Sequence, residues 1–191
     1  MDRMPFIFDD GGREAAGYTG KTGDCVVRAI AIAAELPYQQ VYDDLHRAAK
    51  ERSAVRWPKP LWSTRHDDVY RAIRRRSLKQ TSPRNGVGRD VYRPYLEAFG
   101  WTWTPTMGIG SGCRVHLWGG ELPQGRLIVR VSKHLTAVID GTVHDAFDPQ
   151  REVYCMRPDD GGALRDGESR NSNGIHNVER RCVYGYFSRG Q

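Results

Sequence analysis

Residues 19–34 read TGKTGDCVVRAIAIAA, and the rest of the chain is interpreted outward from this stretch. A polar, glycine-containing turn leads into a run that is apolar on nearly every side, in which Arg28 is the only charged residue after Cys25. A helix that is apolar all round is a buried helix. The pattern therefore predicts a helix through the middle of the domain, with Cys25 at its N-terminal end.

Cys25 would lie where the positive end of the helix dipole and the free backbone N–H groups of the first turn are found. That position favours the thiolate form, which is the nucleophilic form of cysteine. The alternative is a small apolar side chain that fills the core. A nucleophilic function requires a partner base elsewhere in the chain.

A predicted β-hairpin carries the candidate for that base, His134. Residues 134–139 and 142–147 are β-rich runs on either side of Asp140-Gly141, which is the strongest short-range hairpin signal. His134 begins the first strand, and a two-residue turn places it opposite Phe147.

Two carboxylates near the end of the returning strand are candidates to orient His134. Asp148 lies one residue past the pair and precedes Pro149, so its side chain can swing round; it is the preferred candidate. Strict alternation puts Asp145 on the same face as His134, so Asp145 is the alternative. Either would complete a Cys-His-Asp arrangement for activating a thiol.

These residues resemble the papain-like cysteine peptidase superfamily. Asp24-Cys25 before an apolar helix, His134 at a strand start, and Asp148-Pro149 are most similar to its bacterial double-glycine peptidase branch. The runs 22–33 and 133–141 are also similar to small bacteriophage and plasmid proteins. The resemblance implies a papain-like fold and a hydrolase, phage- or plasmid-encoded, that cleaves a peptide, isopeptide or related amide bond in a protein or peptide substrate.

The chain departs from those peptidases at two positions. The Gln that they place six residues before the cysteine is Thr19 here, and the Gly that follows the cysteine is Val26. The oxyanion donors predicted instead are the Cys25 backbone N–H with the Thr19 hydroxyl or the Lys21 ammonium. The departure also leaves open an inactive papain-like protein that binds a host protein or nucleic acid through a basic face.

The order of elements predicts an α+β fold in one domain, residues 1–191. An N-terminal arm (1–17) precedes a mainly helical half (18–100), which includes the buried helix of Cys25. A mainly antiparallel β half (101–187) follows, and the helices are expected to pack on its sheet. Residues 157–180 are polar and poor in apolar side chains, so they are predicted to form a flexible insertion.

The chain is basic, with a formal net charge of +6. Much of the excess falls in one segment, which contains Arg71, Arg74, Arg75, Arg76, Lys79, Arg84, Arg89 and Arg93. Such a patch can bind an anionic partner or nucleic acid, or can simply be a solvated surface. No recognised nucleic-acid-binding motif accompanies it.

The four cysteines are widely separated, which is typical of free thiols in a reducing compartment. We therefore expect a cytoplasmic protein without a membrane segment, in the host cytoplasm or associated with the virion if phage-encoded. Cys113 and His116 have a metal-ligand spacing, but the other possible ligands are scattered, so neither a metal nor a cofactor is predicted. Those other candidates are Cys155, Cys182, His144 and His176.

Overall fold

The computed structural model describes residues 3–54, 82–110, 112–150, 152–157, 161–163, 168–171 and 174–190. The helices are α1 (Cys25–Ala34), α2 (Tyr38–Ala54) and α3 (Arg89–Ala98), with a short 3-10 helix at Pro83–Asn85. The strands are β1 (Phe6–Phe8), β2 (Trp101–Pro105), β3 (Arg126–Val131), β4 (His134–Ile139), β5 (Thr142–Asp145), β6 (Glu152–Arg157), β7 (Glu168–Asn171), β8 (Gly174–Arg180) and β9 (Val183–Arg189).

Six strands form the main sheet, in the order β1-β5-β4-β3-β9-β2. All neighbouring strands are antiparallel except β1, which runs parallel to β5 at one edge. The predicted hairpin is confirmed: Ile139 pairs with Thr142 across Asp140 and Gly141. Both turn residues have positive φ, 47° and 77°, as the tight turns that suit twisted strands require.

Helix α1 packs on one face of this sheet. Every residue from Val26 to Ala33 is buried, and their neighbours on the sheet include Leu135 and Ala137 of β4. The far end of the helix is held by Arg126, whose guanidinium donates hydrogen bonds to the carbonyl oxygens of Ala33 (2.8 Å) and Ile32 (2.7 Å). The predicted buried helix and the α+β class are therefore confirmed.

The opposite face of the sheet has its own apolar core. Leu127, Val129 and Val138 point to that side and pack with Met4 and Leu117, which come from segments outside the sheet. Strand alternation explains the division, because successive side chains of one strand point to opposite faces. Burial on both faces makes β3 and β4 rigid supports for the residues at their ends.

Strands β6, β7 and β8 form a separate three-stranded sheet in the order β6-β8-β7. Strands β7 and β8 lie within residues 157–180, where the sequence predicted an insertion without named strands; its flexibility stays a prediction. That prediction rested on the scarcity of apolar side chains, whereas an antiparallel ladder satisfies the backbone groups of its strands whatever their side chains.

Cys113 and Cys182 form a disulfide, with their Cα atoms 5.8 Å apart. The prediction that all four cysteines are free thiols is therefore wrong for this pair. An isolated β-bridge between His116 and Cys182 brings the two cysteines together although they lie 69 residues apart, a pairing that sequence spacing does not reveal. In the described part of the chain, no helix combines the length and the apolar character that crossing a membrane demands.

Candidate active site

Cys25 is the first residue of α1 and is partly exposed. Asp24 occupies the N-cap position, but its side chain makes no capping hydrogen bond to the first turn. The N–H groups of that turn therefore remain available to an anion, and the helix dipole adds a positive potential at the same place.

His134 and Asp145 lie together at the end of the hairpin. His134 Nε2 is 2.7 Å from Asp145 Oδ2, and the two residues are only 8% and 3% exposed. The other oxygen of Asp145 accepts a hydrogen bond from the backbone N–H of Ala146 at 2.7 Å. Because Nε2 is occupied by the carboxylate, Nδ1 is the ring nitrogen left to face Cys25.

Cys25 lies close enough to His134 for the two side chains to influence each other's ionisation. Burial opposes a charge on the sulfur, but the hydrogen bond and positive charge of His134, together with the N–H of Leu135, lower the pKa of the Cys25 thiol. Burial likewise opposes an imidazolium, yet Asp145 and Cys25 raise the pKa of His134 to about 9. Both shifts favour the thiolate–imidazolium form of the pair.

Asp148, the preferred sequence candidate, is not the carboxylate that contacts His134. Its Oδ2 is 2.5 Å from Arg3 Nη2, and its Oδ1 accepts the backbone N–H of Gln150 at 2.9 Å. The alternative, Asp145, occupies the position because alternation along β5 directs it to the side of His134. Asp148 lies beyond the end of β5, where nothing directs its side chain to the imidazole.

A second buried carboxylate lies directly behind the cysteine. Asp24 Oδ2 accepts hydrogen bonds from Arg13 Nε and from the Tyr38 hydroxyl, both at 2.7 Å. Arg28 Nε lies 3.4 Å from its Oδ1. Burial acts to raise the pKa of Asp24, but Tyr38, Thr22 and the two guanidiniums together lower it.

Arg13 also fixes the polar turn before α1. Its two terminal nitrogens donate hydrogen bonds of 3.0 Å to the carbonyl oxygens of Tyr18, Thr19 and Gly20. Sequence reasoning did not predict the cluster of Arg13, Arg28 and Tyr38 around Asp24. The sequence signal for it was Arg28, a lone charge in an apolar helix four residues after Asp24, which is the spacing of an ion pair on a helix.

A cavity of about 640 Å³ is lined by Ala146 and Phe147, which follow Asp145, but its lining includes neither Cys25 nor His134. Phe147 forms part of its wall, and the ring of Phe147 lies 4.8 Å from the imidazole of His134, centroid to centroid. The predicted oxyanion residues Thr19 and Lys21 line the same cavity. Their role as donors to an oxyanion stays a prediction.

The other candidate residues lie elsewhere. His116 Nδ1 is 3.0 Å from Glu121 Oε2, and His144 Nδ1 is 3.5 Å from Asp9 Oδ2. Cys113 and Cys182 bond to each other, and the described residues contain no group of three that could hold a metal ion. The side chains of Cys155 and His176 lie outside the described part, as do Arg71, Arg74, Arg75, Arg76 and Lys79.

Comparison with protein-family models, curated proteins and solved structures finds no match for this chain. The chemistry of the site is therefore inferred from its own geometry.

Proposed function

We propose that this protein is a cysteine hydrolase of papain-like architecture, which cleaves a peptide, isopeptide or related amide bond through Cys25, His134 and Asp145. One observation carries the proposal: a continuous chain of contacts runs from the sulfur through the imidazole to a buried carboxylate. The packing of a cysteine-bearing helix on an antiparallel β-sheet that carries the histidine supports the papain-like architecture.

In the first step, the Cys25 thiolate attacks the carbonyl carbon, and the carbonyl oxygen becomes an oxyanion. The C–N bond then breaks as His134 gives its proton to the leaving amine, and the acyl group remains on sulfur as a thioester. Asp145 is hydrogen-bonded to the far nitrogen, so it holds the ring in orientation and stabilises its charged form.

In the second step, neutral His134 takes a proton from water, and the resulting hydroxide attacks the thioester carbon. The C–S bond breaks, the carboxylic acid product leaves, and the thiolate and imidazolium are restored. Both steps pass through an oxyanion, to which the uncapped N–H groups at the start of α1 can donate hydrogen bonds.

The rate of Cys25 alkylation by iodoacetamide as a function of pH tests this proposal. A thiolate held by His134 reacts well below the pKa of a free thiol, about 8.5. His134→Ala should return the thiol to that range and reduce the rate at pH 6 roughly a hundredfold. His144→Ala is the matched control, since His144 pairs with Asp9, which follows the end of β1.

The opposite result is equally clear. If Cys25 titrates as an ordinary thiol in the wild type and in His134→Ala alike, the cysteine is structural and the hydrolase proposal is wrong. The protein would then be pursued as a binding protein without turnover.

A further inference from the structure

Arg130 and Arg89 lie against aromatic rings and have no carboxylate partner among the residues that the structure describes. We propose that Arg130 and Arg89 form a subsite that binds a carboxylate group of the substrate beside Cys25. This inference rests on the proposed function and specifies the substrate: a peptide with an acidic side chain or a free C-terminus close to the bond that is cleaved.

The register of the sheet places Arg130 beside the reactive sulfur. Arg130 of β3 pairs with Leu135 of β4, which packs in the same core as Cys25 and whose backbone N–H helps to lower the pKa of that thiol. Directly paired residues project from the same face of a sheet, with Cβ atoms about 5 Å apart. Leu135 packs with α1, so the Arg130 side chain also leaves the sheet on the face that α1 covers. It does so from β3, the strand next to β4.

An irregularity in the sheet fixes the Arg130 side chain. The register between β3 and β9 shifts at Arg130 and Val131, so that Tyr184 has no partner on β3. A bulge of this kind re-aims a side chain and is common beside active sites. Here the Arg130 guanidinium carbon lies 5.7 Å from the centroid of the Tyr184 ring.

Arg89 approaches from the start of α3. Its guanidinium carbon lies 4.6 Å from the centroid of the Trp103 ring. That ring lies across Gly185: a Cβ on the glycine would be 2.6 Å from Trp103 Cη2. Because Gly185 pairs with Arg130, the stacked Arg89 and Trp103 adjoin the strand of the first arginine.

Tyr92 is a common neighbour of the two arginines and the cysteine. Burial raises the pKa of its hydroxyl, the charges of Arg130 and Arg89 oppose that rise, and Cys25 adds to it. All three groups therefore act electrostatically on the same Tyr92 hydroxyl, which places them in the same part of the domain.

The charge around these arginines points to an anionic ligand. Within the described residues neither Arg89 nor Arg130 forms an ion pair, whereas Arg3, Arg13 and Arg126 each have an acidic partner. A guanidinium stacked on a ring keeps its N–H edge free, and that edge matches the two oxygens of a carboxylate.

Three alkylating reagents of similar size test the subsite: the amides of N-iodoacetyl-aspartate and N-iodoacetyl-asparagine, and N-iodoacetyl-asparagine as the free acid. In each reaction the thiolate displaces iodide, and an S–C bond replaces the C–I bond. The measured quantity is the rate of each acidic reagent divided by that of the neutral one, because this ratio cancels general changes in Cys25 reactivity.

We expect Arg130→Gln to reduce this ratio on the order of fivefold, because the substitution removes one partly solvated, charge-assisted hydrogen bond to the reagent's carboxylate. Arg89→Gln should reduce it less, and Arg130→Lys should restore part of it. Arg93→Gln removes the same charge from the exposed side of α3 and is the matched control. The acidic reagent with the larger ratio identifies a side-chain or a C-terminal carboxylate.

If the ratio in Arg130→Gln equals that of the wild type for both acidic reagents, the subsite does not exist. Failure of the proposed function is distinguished by the neutral reagent alone, whose pH profile would then be that of an ordinary thiol.

Discussion

Two buried carboxylates, Asp24 and Asp145, lie close to the same cysteine and have different partners. Asp24 is 1% exposed and is surrounded by Arg13, Arg28 and the Tyr38 hydroxyl. Asp145 is 3% exposed, and its side-chain partner is His134. An arginine keeps its proton at every accessible pH, whereas a histidine can lose it.

Because of this difference, we expect Asp24 to stabilise the fold and Asp145 to act on an ionisable group. The Asp24 cluster carries fixed charges and holds the turn before α1, so it serves best as an anchor. The Asp145 pair contains a group that gains and loses a proton, and it controls the charge on the sulfur. The predictions below address each carboxylate in turn.

The largest expected effect is on stability, in Asp24→Asn. The change leaves the buried guanidiniums of Arg13 and Arg28 without a counter-charge, and removal of one partner of a buried ion pair costs about 3–5 kcal/mol. The free energy of unfolding in urea measures the loss. Asp43→Asn, on the exposed side of α2 where Asp43 accepts a bond from Gln39, is the control. Equal stability of the two variants would contradict the anchoring role.

The pH dependence of stability should distinguish the carboxylates next. In a Cys25→Ala background, which removes the titration of the thiol, Asp145 still raises the pKa of His134. The stability that comes from this raised pKa is fully present below the pKa of His134 in the unfolded chain, about 6.5. It is lost as the pH rises through the pKa of His134 in the folded protein, and we expect the loss to be roughly 2 kcal/mol.

Adding Asp145→Asn should abolish this alkaline decline. It should leave the acid decline, because Asp24 has a lowered pKa and its contribution is present above about pH 4 and lost as the pH falls. Urea midpoints from pH 3 to pH 10 measure both limbs. An alkaline decline that persists in the double variant would show that Asp145 does not hold the proton on His134.

The smallest effect concerns the choice between the two candidate orienting carboxylates. Asp145→Asn should reduce the rate of Cys25 alkylation at pH 6 about tenfold, the effect of one pKa unit on the thiolate fraction. Asp148→Asn should leave the rate unchanged, since Asp148 pairs with Arg3. A larger effect from Asp148→Asn would reverse the assignment.

Local sequence patterns predicted the elements that carry Cys25 and His134. The apolar run after Cys25 predicted the buried helix, and Asp140-Gly141 predicted the hairpin that starts at His134. These patterns succeed because helix burial and turn conformation depend on neighbours within a few residues.

The tertiary structure alone decided which groups meet. The choice of Asp145 over Asp148 depended on where β5 ends, and the bond between Cys113 and Cys182 depended on two segments 69 residues apart. The insertion of β9 between β3 and β2, which brings Arg130 to Tyr184, is likewise a contact between distant segments. Such contacts depend on the packing of the whole chain, because closing a long loop costs entropy that only the assembled core and sheet can offset.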